Sequence, residues 1–152
     1  MITASETDLG DPAVRRLLEA HQRDMHAISP PGTSFALDLR GLSGDDITLF
    51  AAREGDTLMA VGALNRICDH QAEIKSMRAD PEHTRRGAGH KVLEAILAKA
   101  KASGFKRLSL ETGTSERFAP AISLYRKYGF EAGDAFAGYE NGPYNQCYHL
   151  DL

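Results

Sequence analysis

Cysteine is scarce in this chain. Cys68 and Cys147 are the two in 152 residues, and neither a CxxC pair nor a Cys/His metal-ligand spacing occurs. A disulfide framework and a zinc site are therefore not indicated, and reduced thiols in a cytoplasm are the expectation. Basic residues are not in excess either: Lys and Arg number 18 against 21 Asp and Glu, for a formal charge of −3, and the sequence pI is near 6.1. That balance argues against a broad nucleic-acid surface, which needs concentrated positive charge. No run of about 18 apolar residues is present to span a bilayer, and the opening MITASETDLG lacks the basic start and apolar stretch of a signal peptide. We expect a soluble, unprocessed chain with no bound metal, forming one domain over residues 1–152.

What is present divides into recognisable elements. PAVRRLLEAHQRDMHAI, from Pro12, sets Val14, Leu17, Leu18, Met25 and Ile28 near one helical face, with Asp11 as cap and Pro12 at the first helical position. SerProProGly at 29–32 stops that helix, and a short helical or irregular piece, SFALDLRGL, follows. In ITLFAAREGDTLMAVGALNRI two β-rich runs flank Glu54, Gly55 and Asp56, a hairpin signal. Ala72 to Ala79, AEIKSMRA, alternates and extends the same antiparallel sheet. A helix with Val92, Leu93, Ile96, Leu97 and Ala100 on one face ends at Ser103 and Gly104. RLSLET then reads as a buried strand, about Phe118 to Tyr128 as a helix closed by Gly129, and the tail as a strand around Phe130 and another in NQCYHLDL. The predicted order is helix, three antiparallel strands, loop, helix, strand, helix and terminal strands in one mixed sheet, with a right-handed strand–helix–strand crossover around the loop.

That loop, MRADPEHTRRGAGHKVLEAI at 77–96, runs two arginines and two glycines into a helix start. Glycine lets the backbone bend sharply, and a helix N-terminus offers unpaired N–H groups and a positive dipole end, so the combination suits an anion. One reading is dinucleotide binding: Gly87 and Gly89 follow a strand, and Glu111 lies about 20 residues on, where a ribose-binding acid belongs. Against it, Val92 occupies the third glycine position, and the preceding strands read as hairpins. A Walker loop is absent, since no GxxxxGK[ST] occurs.

The stretch ArgArgGlyAlaGlyHis before an apolar helix, then a strand, then AlaIleSerLeuTyrArgLysTyrGlyPhe at 121–130, resembles the GNAT superfamily of acyl-coenzyme A-dependent N-acyltransferases. The likeness covers about residues 46–152, and the region with EIKSMR, LSLETG and LYRKYGF is similar to a group of small bacterial members. The resemblance implies an α/β fold of mixed α+β type, with a mostly antiparallel central sheet, one splayed parallel strand pair and helices on both faces. It also implies acetyl-coenzyme A as cosubstrate. The pantetheine arm would pair with the strand at Ser76, Met77 and Arg78, and the pyrophosphate would meet the backbone of Arg85, Arg86, Gly87, Ala88, Gly89 and His90. This chain has Thr84 where the family often has Gln or Arg, and Phe118 where it often has Asn.

Transfer to an amine requires a base, an oxyanion donor and an acid for the departing thiolate. An alkylammonium has a pKa of about 10 and must lose its proton before attack. Glu73 is the first choice as base and Glu111 the second, with a water relay also open; strand alternation groups Glu73 with Lys75 and Met77 on one face. Tyr125 holds the position that carries the acid in many members, and Tyr128 lies three residues on. A strand N–H near Met77 or Arg78 is the expected oxyanion donor. His26, Ser29, Pro30, Tyr139, Tyr144 and Asn145 border the expected acceptor side, with Lys75 and Glu111. The acceptor is expected to be a primary amine of a small molecule or peptide, with no nucleic acid or membrane partner. A homodimer through the terminal strands would be ordinary for this architecture. The other reading of the family likeness is a module that binds a coenzyme A ester without turnover.

Overall fold

A computed structural model describes residues 1–28, 40–84 and 86–152. The elements run β1 (Ile2–Thr7), α1 (Pro12–Ile28), β2 (Ile47–Glu54), β3 (Thr57–Arg66), β4 (Gln71–Ala79), α2 (Ala88–Ala102), β5 (Arg107–Gly113), α3 (Ala119–Lys127), β6 (Glu131–Gly133) and β7 (Asn145–Asp151). All seven strands join one mixed sheet in the order β1-β2-β3-β4-β5-β7-β6. Val14, Leu17 and Leu18 of α1 pack on one face against Leu49, Ala51, Val61 and Ala63. On the other face Val92, Leu93 and Ile96 of α2 and Tyr125 of α3 close over Phe50, Met59, Ile74, Leu108 and Leu110. Each such apolar side chain, taken fully out of water, contributes roughly 1.5–3 kcal/mol. No helix among the described residues is long and apolar enough to cross a membrane.

Most expected elements form, and their local causes are visible. Asp11 caps α1: its Oδ1 accepts from Ala13 N at 2.9 Å while its Oδ2 holds Arg53 at 2.5 Å. The β2–β3 hairpin turns on Gly55, at φ 60°, and Asp56, with Glu54 opposite Thr57. Gly104 and Gly129, both in the left-handed region, follow α2 and α3. The chain does not begin with the helix, however. ITASET forms β1, antiparallel to β2 over its whole length, with Ile2 and Ala4 against the α2-side core. This edge strand is short and half polar, so its alternation is too weak a signal without the partner that supplies its hydrogen bonds. The helix expected from Phe118 splits into a 3-10 turn at Glu116–Phe118 and α3 proper, and the strand expected around Phe130 is the three-residue β6.

The departure that matters most lies in β4. Lys75 stands opposite Ala63 and Arg78 opposite Val61, so two residues, Ser76 and Met77, face the single Gly62. This is a β-bulge, and Ser76 adopts φ 58° to make it. Strict alternation would have kept Met77 with Glu73 and Lys75. Instead the extra residue turns Met77 to the α2 face, where it packs beside Ile74, and leaves Arg78 on the α1 face with Glu73 and Lys75. Before the bulge is reached, β4 already parts from β5. The two are paired in parallel over Gln71–Glu73 and Arg107–Ser109, after which β4 keeps to β3 and β5 to β7.

Gly62 is the point where the bulge, the sheet and α2 meet. A Cβ there would lie 2.6 Å from Met77 Sδ, 2.7 Å from Val92 Cγ1 and 3.2 Å from Ile96 Cδ1. Gly62→Ala is expected to destabilise the fold by about 1–3 kcal/mol, the usual range for overpacking. A lowered urea midpoint at unchanged slope would show this, and an unchanged midpoint would mean that Met77 and α2 adjust freely.

Candidate active site

Where β4 and β5 part, a cleft of about 670 Å³ opens between them. Lys75, Ser76, Met77, Arg78 and Ala79 line one wall, and Leu110, Glu111, Thr112 and Gly113 line the other. On the side of β4 turned away from β3, backbone polar groups past Glu73 have no strand partner among the described residues, because β5 has left. Such an edge can pair with an extended ligand. One end of the cleft is closed by the start of α2, with Gly87, Ala88, Gly89 and His90 in its lining. Gly87 occupies the N-cap at φ 84°, ψ 9°, a conformation costly for residues with a Cβ, and it aims the first-turn N–H groups at the opening. His90 is braced by Tyr128, whose hydroxyl lies 3.3 Å from Nδ1 and donates to Glu94 at 3.0 Å. Phe118 lies flat against Gly113, where any Cβ would fall 2.2 Å from the ring.

Four ionisable side chains cluster beneath and along the cleft. Glu73, 5% exposed, accepts from Asn65 Nδ2 at 2.7 Å through Oε1 and from the Tyr139 hydroxyl at 3.0 Å through Oε2. Lys75 Nζ donates to the Tyr139 hydroxyl and lies 3.9 Å from Glu73 Oε2. Tyr139 and Lys75 line the cleft, whereas Glu73 does not. Glu111 does line it. Burial raises the Glu111 pKa above the ordinary carboxylate value; a hydrogen bond from Asn145 and the charge of Lys75 oppose that rise, and the negative charge of Glu73 reinforces it. Burial, then the charge of Glu73, pushes the Tyr139 phenol far upward. Tyr125, also in the lining and 5% exposed, has its pKa raised by burial alone, so it remains a proton donor at neutral pH.

The remaining expectations divide. Met77, Arg78, Lys75, Glu111, Phe118, Tyr125, Tyr139 and the backbone from Gly87 to His90 all meet in the one cleft. Arg86 does not line it: its guanidinium turns to the end of β2 and pairs with Glu54 at 3.0 Å. His26 is exposed and outside the cleft, while His21 and Met25 of the same helix line it. Five residues of helix turn His21 and His26 about 140° apart, so one faces β4 and the other faces water. Ser29, Pro30 and Arg85 lie outside the described residues. Cys147 is fully buried in β7, and burial raises its thiol pKa, which suits a packing residue.

Residues 14–130 match the model of the Acetyltransferase (GNAT) family. The chain belongs to the GNAT acetyltransferase family. It is 41% identical over 136 residues to the uncharacterised N-acetyltransferase YsnE of Bacillus subtilis, covering 90% of each chain. It is 39% identical over 152 residues to the uncharacterised N-acetyltransferase YedL of Escherichia coli, covering 100% of this chain and 96% of that one. A GNAT family acetyltransferase from Elizabethkingia anophelis, solved with acetyl-coenzyme A bound, superposes with a TM-score of 0.71 at 22% identity, over 99% of this chain and 98% of that one. This GNAT protein is thus an acyltransferase, of a family whose acyl donor is an acyl-coenzyme A thioester. The residues present suit such a donor: an unpaired strand edge for an extended amide-bearing arm, and the glycine-led start of α2 for a phosphate group.

Among the residues that sequence reasoning assigned no role, His21 carries a measurable signature. Burial, with the neighbouring Arg78 charge, lowers its pKa from 6.5 to about 4. The folded chain therefore binds fewer protons than the unfolded chain between those values, and stability falls as pH falls from about 6.5 towards about 4. A melting-temperature series should be shallower in that window for His21→Gln than for the wild type. Parallel curves would show that His21 titrates normally in the folded protein.

Proposed function

We propose that this GNAT protein transfers an acetyl group from acetyl-coenzyme A to a primary amine by direct attack in a ternary complex. The observation that carries the reading is the cleft itself, which brings the start of α2, the unpaired β4 edge, Tyr125 and the half-buried Glu111 carboxylate into one cavity. The thioester carbonyl sits between the parted strands, with an unpaired β4 N–H near Met77 donating to its oxygen as negative charge develops there.

Two carboxylates compete for the role of base, and geometry favours Glu111 over Glu73. Glu111 reaches the cleft and has a raised pKa, while Glu73 is enclosed by Asn65 and Tyr139. Glu111 accepts a proton from the incoming ammonium. The amine lone pair forms the C–N bond, the C–S bond breaks, and Tyr125 donates its phenolic proton to the departing thiolate; the second proton, lost from the nitrogen as the amide forms, returns through water to the Tyr125 phenolate, and Glu111 releases the first to solvent. Glu73 acts one layer back: it holds the Tyr139 hydroxyl and the Lys75 ammonium in place. The reading covers residues 1–152 as one acetyltransferase unit, working in a cytoplasm where Cys68 and Cys147 stay as free thiols.

Four measurements bear on this. Acetyl-coenzyme A and coenzyme A at about 100 times their dissociation constants should each stabilise the protein by about 2.7 kcal/mol, and NADH should not; a shift with NADH alone would replace the acyltransfer reading with a dinucleotide one. Glu111→Gln should lower kcat/KM by about 10²–10⁴, the span of general-base catalysis. The wild-type rate should climb with pH as Glu111 deprotonates, and its raised pKa places that rise above the ordinary carboxylate range. Tyr125→Phe should slow thiol release. If neither substitution alters turnover, the assigned roles are wrong, and coenzyme A binding with no acetylation of any amine would make the protein a binding module.

A further inference from the structure

The acceptor end of the cleft carries polar atoms that the proposed chemistry does not use. Arg78 Nε, Ser76 Oγ and His21 Nδ1 are each buried and without a hydrogen-bond partner among the described residues, and all three residues line the same cleft. A buried polar group left unpaired costs about 1–3 kcal/mol, so three together call for a ligand that supplies the missing partners. Their chemistry is selective. Arg78 holds Asp24 Oδ2 through Nη2 alone, at 2.5 Å, and leaves the adjacent Nε of the same guanidinium edge unused. That edge is a two-point fork matched to a carboxylate. Asp24 is a partial occupant that can leave, since its side chain is 41% exposed. Ser76 is 9% exposed, and its hydroxyl can donate to the same anion; the φ of 58° that makes the bulge sets this side chain between Lys75 and Arg78.

Resting on the acetyltransferase reading, we infer that the acceptor is an amine that also carries a carboxylate, an amino-acid-like zwitterion. Its carboxylate takes the Arg78 fork and the Ser76 hydroxyl beside His21, and its amine faces Glu111. The two walls of the cleft then divide the work: β4 and α1 hold the anionic pole, and β5 holds the cationic pole from which the proton is lost. Asp24 moves to water when the ligand carboxylate arrives.

The test uses the full chain and a panel of L-amino acids, each compared with its primary amide and its decarboxylated amine. Binding is read by calorimetry on the coenzyme A-loaded and coenzyme A-free protein, and turnover by thiol release from acetyl-coenzyme A. The expected result is that at least one amino acid binds tenfold or more tighter than both of its uncharged-end analogues, about 1.4 kcal/mol by the usual conversion. Arg78→Lys, which lacks the planar fork, should erase most of that preference. Because an Arg78 variant also strands Asp24, Asp24→Ala supplies a second arm: removing the competing carboxylate should tighten the amino acid several-fold and leave its amide unchanged. Equal binding of acids and amides, or an Asp24→Ala effect on both alike, overturns the inference. Turnover of amides and simple amines with no preference for the acid would sink it while leaving the acetyltransferase reading intact. Carboxylate-selective binding without any thiol release would support it and defeat that reading instead.

Discussion

The parting of β4 from β5 is the constraint on which the rest of this molecule depends. Two strands that stayed parallel along their length would satisfy each other's backbone and leave no room between them. Here they share three residue pairs and then diverge. The divergence begins after Glu73, and Ser76 and Met77, which together oppose Gly62, add twist to β4 within the separated stretch. It also has a support on each side: β3 continues to hold β4 as far as Ala79, and β7 holds β5 as far as Gly113. The opening is therefore framed on both sides by hydrogen-bonded strands, which suits it to holding reacting groups to within fractions of an ångström.

The bulge does more than add twist. By inserting one residue it reassigns the faces of β4, so that Met77 joins the α2-side core and Arg78 joins Glu73 and Lys75 on the α1 side. Three charged residues of one strand thereby come to lie under one cavity, and Glu111 approaches from the neighbouring strand. Like-signed Glu73 and Glu111 tolerate each other because Lys75 lies between them in effect: it pairs with Glu73 and lowers the Glu111 pKa that burial and Glu73 raise. Tyr139 ties the cluster to the loop before β7, so the C-terminal third of the chain sets the orientation of residues on β4.

What was legible beforehand follows from how local each feature is. The N-cap of α1, the Gly55–Asp56 turn and the apolar face of α2 are written within ten residues or so of themselves, and each formed as read. The edge strand β1 was not legible, because six half-polar residues become a strand only through β2. The face assignment of Met77 failed because a bulge is invisible to an alternation rule; Ser76 has no glycine to betray its positive φ. Arg86 read as a phosphate ligand because it adjoins Gly87, yet Glu54, 32 residues away in sequence, claims its guanidinium. His26 read as an acceptor-side residue and His21 had no assigned role, and the packing of α1 on β4 reverses them, since His21 lines the cleft and His26 is exposed.

The same distinction between local and distant features separates the two ends of the cleft. The proposed donor end is assembled from consecutive residues at one helix start, so its geometry rests on Gly87 keeping its left-handed conformation and α2 staying packed on the sheet. The acceptor end draws on α1, β4, β5 and the loop carrying Tyr139, segments that meet only in the folded sheet. A substitution in any one of these changes the acceptor wall without touching the glycine loop. That asymmetry explains why a family likeness reports the acyl donor readily and the acceptor poorly. It also places the information about the acceptor where this chain carries unspent polar atoms, at Arg78, Ser76 and His21.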